Sequence, residues 1–254
     1  MNHPATLPGP DRVAMPDMAA TVPTRAPRVD MYTFIHKALR QAMTHTLRSL
    51  GALDASEDPE CKVVLDGVDR LLALLRSHLQ HENDFVHTAI EARQPGGARQ
   101  TADDHVEHQE AIRNLEDEAR ALRDAQGDNR AMLALRLYRH LAAFIGENLA
   151  HMQVEETRGN ARLWALYSDE ELVAIHDRLV ASIPQAEMAE TARWMAAALS
   201  VPELAALFSD MRAKAPPPAF EALLGVARTQ LDERRWAQLA RALGLPPAPG
   251  LMTA

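Results

Sequence analysis

Polar and apolar positions alternate along this chain with the period of a helix, three or four residues, over four long stretches. The first is predicted to run from about residue 29 to Gly51, where the glycine stops it. Its inward stripe is Tyr32, His36, Leu39, Met43, Leu47 and Leu50. The second opens at "SEDPE", where Asp58 suits an N-cap and Pro59 a first helical position. Its stripe is Val64, Val68, Leu71, Leu75, His78, Glu82, Phe85 and Ala89, and it ends at the breaker "QPGG". The third, capped by Thr101 with Asp104 three positions on, carries His105, His108, Ile112, Leu115, Ala119 and Leu122. The fourth opens after Asp128 and carries Leu137, either His140 or Leu141, Phe144, Asn148, His151 and Glu155. Nothing reads as a strand. Four amphipathic helices joined by short polar loops predict an all-α fold, an up-down antiparallel four-helix bundle over residues 30–167.

The flanks read differently. Residues 1–29 hold six of the sixteen prolines and no apolar period, which predicts a disordered tail. After the bundle, Ser168 with Glu171 forms a capping box before "DEELVAIHDRLVASI". Shorter helices follow around 188–199, 202–211, 220–231 and 233–243, so residues 168–246 are predicted as a C-terminal helical extension packed on the bundle. Trp194, Trp236 and the methionines there suit a docking core, and nothing identifies a protein partner for it. Residues 247–254 read as a second disordered tail.

Composition narrows the field. The 4 % of aromatics, with abundant Ala and Leu, favours helix over strand. A net charge of −8 removes the electrostatic case for nucleic acid or an anionic membrane surface. No stretch approaches the ~20 apolar residues of a membrane span, and no apolar run suits a signal peptide. The single cysteine, Cys61, cannot close an internal disulfide and reads as an inert filler near a helix start; a cytoplasmic, reducing location is expected. There is no Gly-rich phosphate loop, no Gly-x-Ser-x-Gly elbow and no Cys–His pairing that would suggest a hydrolase or transferase.

The unusual feature is polar. Residues four apart stack on one helix face, so His78 with Glu82 and His151 with Glu155 each present an imidazole and a carboxylate to one point. Spacing alone decides nothing, since about one or two of eleven histidines would have an acid four residues on by chance. Position does decide. Both pairs lie on the inward stripes, whereas His87 and Glu91 fall roughly 140° and 180° from Glu82. His36, His105 and His108 also lie on stripes, and in an antiparallel bundle all these groups meet at one end. Two buried carboxylates need compensating positive charge, and no Lys or Arg stands on the stripes near them. A metal cation is the partner that fits, held by neutral imidazoles and ionised carboxylates. His81 lies one position off the stripe and suits a supporting hydrogen bond. His140 is about 16 Å from His151 along its helix, and His45 and His176 have no place in the cluster.

The motifs "IHKALR", "HLQHENDFVHTAIEA", "DDHVEHQEAI" and "HMQVEE" together resemble the hemerythrin-like family, the HHE cation-binding domain, over about residues 30–167. The resemblance implies a non-haem di-iron centre in which Glu82 and Glu155 bridge the irons. It puts His36 and His78 on one iron, and His151 with a third-helix histidine on the other. His108 matches the family position best, with His105 as an additional imidazole; the family's paired third-helix motif would fall on Asp104 and His108. It implies O2 or NO as the small ligand, in sensing, storage, protection or repair of iron centres. The extension resembles one found in some bacterial members, without implying a role. Two other readings stay open at this point, a metal-free helical interaction module and a ferritin-like di-iron oxidase. The latter needs Glu-x-x-His pairs, and no Glu stands three residues before any His.

Overall fold

The computed structural model describes residues 28–127 and 129–246; the predicted N-terminal tail apart from residues 28 and 29, the whole predicted C-terminal tail 247–254, and Asp128 lie outside them. The described residues form helices and no strand. The bundle consists of α1 (Thr33–Gly51), α2 (Asp58–His81), α4 (Arg99–Asp124) and α5 (Asn129–Val154). A π-helical segment, Glu82–His87, continues α2 into the short α3 (Thr88–Arg93), and a second, Glu155–Gly159, continues α5 into α6 (Asn160–Leu166). Chain neighbours are spatial neighbours, and α5 closes back onto α1, which is the up-down arrangement.

One apolar cluster fills the bundle, with Leu39, Met43, Leu65, Leu72, Ile112, Leu122, Leu137 and Leu141 wholly enclosed. Every predicted stripe residue of α4 is buried. On α5 the choice between neighbours falls to Leu141, which is buried, while His140 faces outward and bonds Glu118 at 2.7 Å. Leu65, Leu72 and Leu79 join the core beside the predicted α2 stripe.

Helix starts differ from expectation for local reasons. The α2 cap is Glu57, one residue early. α4 begins at Arg99, ahead of the expected Thr101 cap. There Glu91 accepts the N–H groups of Gly96 and Ala98, at 2.6 and 2.8 Å, and shapes the turn into the helix. α1 starts at Thr33 because Arg28 and Val29 run as a strap. The Arg28 Nε and Val29 N–H donate to Asp169, at 2.7 and 3.2 Å, and Val29 accepts from Trp164 Nε1 at 2.8 Å. The last residues of the expected N-terminal tail are therefore tied down.

Asp30 then anchors the strap to the helix. Its carboxylate accepts from the N–H groups of Tyr32 and Thr33, the Thr33 hydroxyl and the Asn160 amide, at 2.6–3.0 Å. Burial pulls its pKa up, but these donors outweigh it and hold Asp30 below the usual carboxylate range. Asp30→Ala is expected to cost about 1–2 kcal/mol at neutral pH. A depressed folded pKa contributes stability above the unfolded value, lost as pH falls through the folded one. Urea midpoints of wild type and variant should therefore begin to approach one another below about pH 3.9 and converge only once pH has fallen through the lower folded pKa. A gap that persists after Asp30 is protonated would assign the loss to packing instead.

The extension comprises α7 (Asp169–Ser182), α8 (Gln185–Ala198), α9 (Val201–Lys214), α10 (Pro217–Gln230) and α11 (Glu233–Ala242). The Ser168–Glu171 capping box forms as the spacing predicts. α8 lies along α1, where Trp194 packs on the bundle core, and Phe34 of α1 packs against the extension's own apolar cluster, as does Trp236. Lys37 bonds Glu203 across this seam at 2.6 Å. α7 covers the first π segment through Leu172 and Ile175. Among the described residues no helix is long and apolar enough to cross a membrane.

Candidate metal centre

The imidazoles and acids of the four stripes meet at one end of the bundle, all of them inside it. Their donor atoms fall into two groups, His36, His78, Glu82 and Glu155, and Glu82, His105, His151 and Glu155, each with its atoms within 4.8 Å of one another. The two carboxylates belong to both. Glu82 turns Oε1 toward His36 and His78, at 3.6 and 3.4 Å, and Oε2 toward His105 at 3.4 Å. Glu155 turns Oε2 toward His36 at 3.5 Å, and Oε1 toward His105 and His151 at 3.6 and 3.3 Å. The Nε2 atoms of His105 and His151 stand 3.0 Å apart.

These separations test whether a cation fits. Ligand atoms about 2.1 Å from one ion lie roughly 3.0 Å apart in octahedral and 3.4 Å apart in tetrahedral geometry. The observed edges match that range and are mostly too long for hydrogen bonds. Correspondingly, all four carboxylate oxygens and His36 Nε2 are buried without a hydrogen-bond partner among the described residues. Buried polar atoms left unpaired cost free energy, and here the unpaired lone pairs converge on two points. The residues fit a pair of cations.

The outward ring nitrogens of His36, His105 and His151 are held instead by hydrogen bonds. His36 Nδ1 pairs with Glu156 at 3.1 Å, and Arg40 grips that carboxylate through both terminal nitrogens, at 2.5 and 3.1 Å. His105 Nδ1 pairs with Asn83 Oδ1 at 2.8 Å, and His151 Nδ1 with Asp104 at 3.2 Å. Partners of this kind fix ring orientation and tautomer, so that Nε2 presents its lone pair inward.

The electrostatics of the metal-free centre follow from this enclosure. Burial disfavours the charged form of His36 and His105, but Glu156 followed by Glu82 and Glu155 for His36, and Glu155 with Glu82 for His105, outweigh it and push both up to about 9. Burial drives His78 down to about 4 despite Glu82. Glu82 and Glu155, penalised by burial, are nonetheless held below the usual range by the surrounding imidazoles. Against the same burial, Glu155 and Asp104 likewise raise His151, so the imidazoles favoured in their protonated form offset the two carboxylates, and an entering cation displaces protons from the site.

Of the seven residues predicted from sequence, six lie in the two groups. His108 is the seventh. It is buried one turn deeper on α4, edge-on to the His151 ring at 4.9 Å and to Phe144 at 5.8 Å, and is in neither group. His105, three residues earlier, takes the central place. Asp104 supports His151 from outside. His81 is not a support: it faces Glu187 of α8 at 3.5 Å, at the seam with the extension.

His87 was placed off the stripe and is in fact enclosed, 6 % exposed, its ring stacked 4.7 Å from that of His105. The π segment is the reason. Its wider turn brings residues five apart toward one face, and Glu82 and His87 are five apart. Both π segments open at a cluster carboxylate, Glu82 and Glu155. Glu156, Arg40 and Asn83 also escaped prediction, although Arg40 follows His36 by four and the other two adjoin the pair carboxylates. Tyr32 was read only as core. It is buried with its ring 5.4 Å from that of His36, and burial with the charges of Glu155 and Glu82 raises its phenol well above its ordinary value.

The hemerythrin HHE cation-binding domain family matches residues 28–159, a span containing every member of both groups. No curated protein matches the chain at a significant level.

Proposed function

The chain belongs to the hemerythrin HHE cation-binding family, and from that premise we propose that its bundle holds a non-haem di-iron centre for a small diatomic ligand. The carrying observation is that Glu82 and Glu155 each offer one oxygen to each of two histidine groups. In this reading Glu82 and Glu155 would help hold both ions, His36 and His78 one of them, and His105 and His151 the other. Iron bound there would supply redox-active coordination positions for O2 or NO.

The chain's own residues prepare those positions. Glu156, Asn83 and Asp104 hold the outer nitrogens, so the inner ones arrive aimed and deprotonated once the ion binds. Leu75, Leu79, Phe144 and Met152 belong to the apolar packing of the bundle, which keeps bulk water out. Oxygen or nitric-oxide sensing, storage, protection and iron-centre repair all fall within this chemistry.

Anaerobic iron loading followed by exposure to O2 and then to NO tests the proposal. About two irons per chain are expected, with near-ultraviolet charge-transfer bands that change with each gas. The melting temperature should also rise with iron, because a ligand that binds only the folded state stabilises it. Less than one equivalent of iron, no bands and an unmoved melting temperature would leave a metal-free helical module.

A further inference from the structure

The geometry points to His87 as the side chain that recognises the exogenous ligand, a small anion or diatomic molecule with an exposed lone pair, on the His105–His151 side of the centre. This rests on the di-iron reading and adds to it a side and a recognition group.

His87 is enclosed, yet among the described residues neither of its ring nitrogens has a hydrogen-bond partner. An imidazole carries one donor and one acceptor when neutral, and burying both without partners is costly unless something else meets them. The charges that act on it most strongly are those of His105, Glu82, Glu155 and His151, the complete second group. Its stacking on His105, rings inclined by 26°, sets it beside that ligand. It is not itself in the second group. His87 therefore stands beside the second group but outside it, with two unpartnered ring nitrogens that a small molecule held there could engage.

The chain invests in this placement. A regular α-helix would turn His87 well away from Glu82, and the π segment between them returns it to the axis. His108 is a weaker candidate: only its Nδ1 is both buried and without a partner among the described residues, and its ring packs edge-on against Phe144 and His151.

Azide is the probe, titrated into the iron-loaded, oxidised full chain and followed by its charge-transfer band. His87→Leu should keep both irons, weaken azide about tenfold, the worth of one hydrogen bond, and shift the band. His87→Gln, which retains an N–H donor, should keep both irons and recover affinity to within about threefold, with the band still displaced from the wild-type position. Unchanged azide affinity and band in His87→Leu overturn the proposal. So does loss of one iron equivalent in either variant, which would make His87 a ligand rather than a recognition group. Should His87→Leu fail to fold, an unshifted band in His87→Gln overturns it as well. A wild type that takes up no iron overturns the di-iron reading itself, a failure distinct from these.

Discussion

Glu155→Ala is expected to reduce bound iron from about two equivalents per chain to well under one. The effect should exceed that of any single histidine, because this carboxylate contributes to both groups. Its Oε2 faces His36 at 3.5 Å, and its Oε1 faces His105 and His151 at 3.6 and 3.3 Å. On the proposed di-iron reading, truncation would remove one ligand atom from each ion at once, and half of the carboxylate charge shared by the two groups. The cleanest readout is the rise in melting temperature on iron addition, compared within each variant so that changes in metal-free stability cancel. With iron at one hundred times its dissociation constant, each site adds about 2.7 kcal/mol, or roughly 5–11 °C for a domain of this size. That increment should vanish in Glu155→Ala. A variant that retains it, with both irons, would show that the carboxylate is not a bridge.

His105→Ala and His108→Ala should separate just as clearly. Removing His105 takes away the Nε2 that faces both carboxylates and lies 3.0 Å from His151 Nε2. One iron equivalent should be lost, with at least a hundredfold weaker binding at that ion, on the order of the larger effects seen even for supporting residues. His108→Ala should keep both equivalents and lose stability instead, by about 2–4 kcal/mol, since a buried ring between His151 and Phe144 leaves a cavity. Metal analysis together with urea unfolding distinguishes the two outcomes. The reverse pattern, iron lost with His108 and kept with His105, would restore the assignment suggested by the family motif.

That comparison marks how far the residues alone could be read. The stripe of α4 was correct at all six positions, and both of its histidines are buried. Which of the two faces the carboxylates was not legible, because positions three apart lie within about 60° on a helix. The choice depends on where α4 sits against α5, and Asp104 reaching His151 records that placement. His87 failed for another reason. At 100° per residue it belongs outside, and no local pattern announced that the turn would widen after Glu82. The strap at Arg28 and Val29 was equally invisible, since its anchors, Trp164 and Asp169, lie more than 130 residues away.

The alternation of side chains was sufficient for the helices, for the antiparallel bundle and for the meeting of His36, His78, Glu82, His151 and Glu155 at one level, because helical period and rise are local and repeat from residue to residue. The aim of each ring nitrogen to within an ångström, the inward turn of His87, and the choice of His105 over His108 arose only when the helices packed. They rest on contacts such as Asn83 with His105 and Asp104 with His151, which join residues 22 and 47 positions apart. No periodicity along one helix carries information about the rotation of its neighbour, and a coordination site is built from those relative rotations.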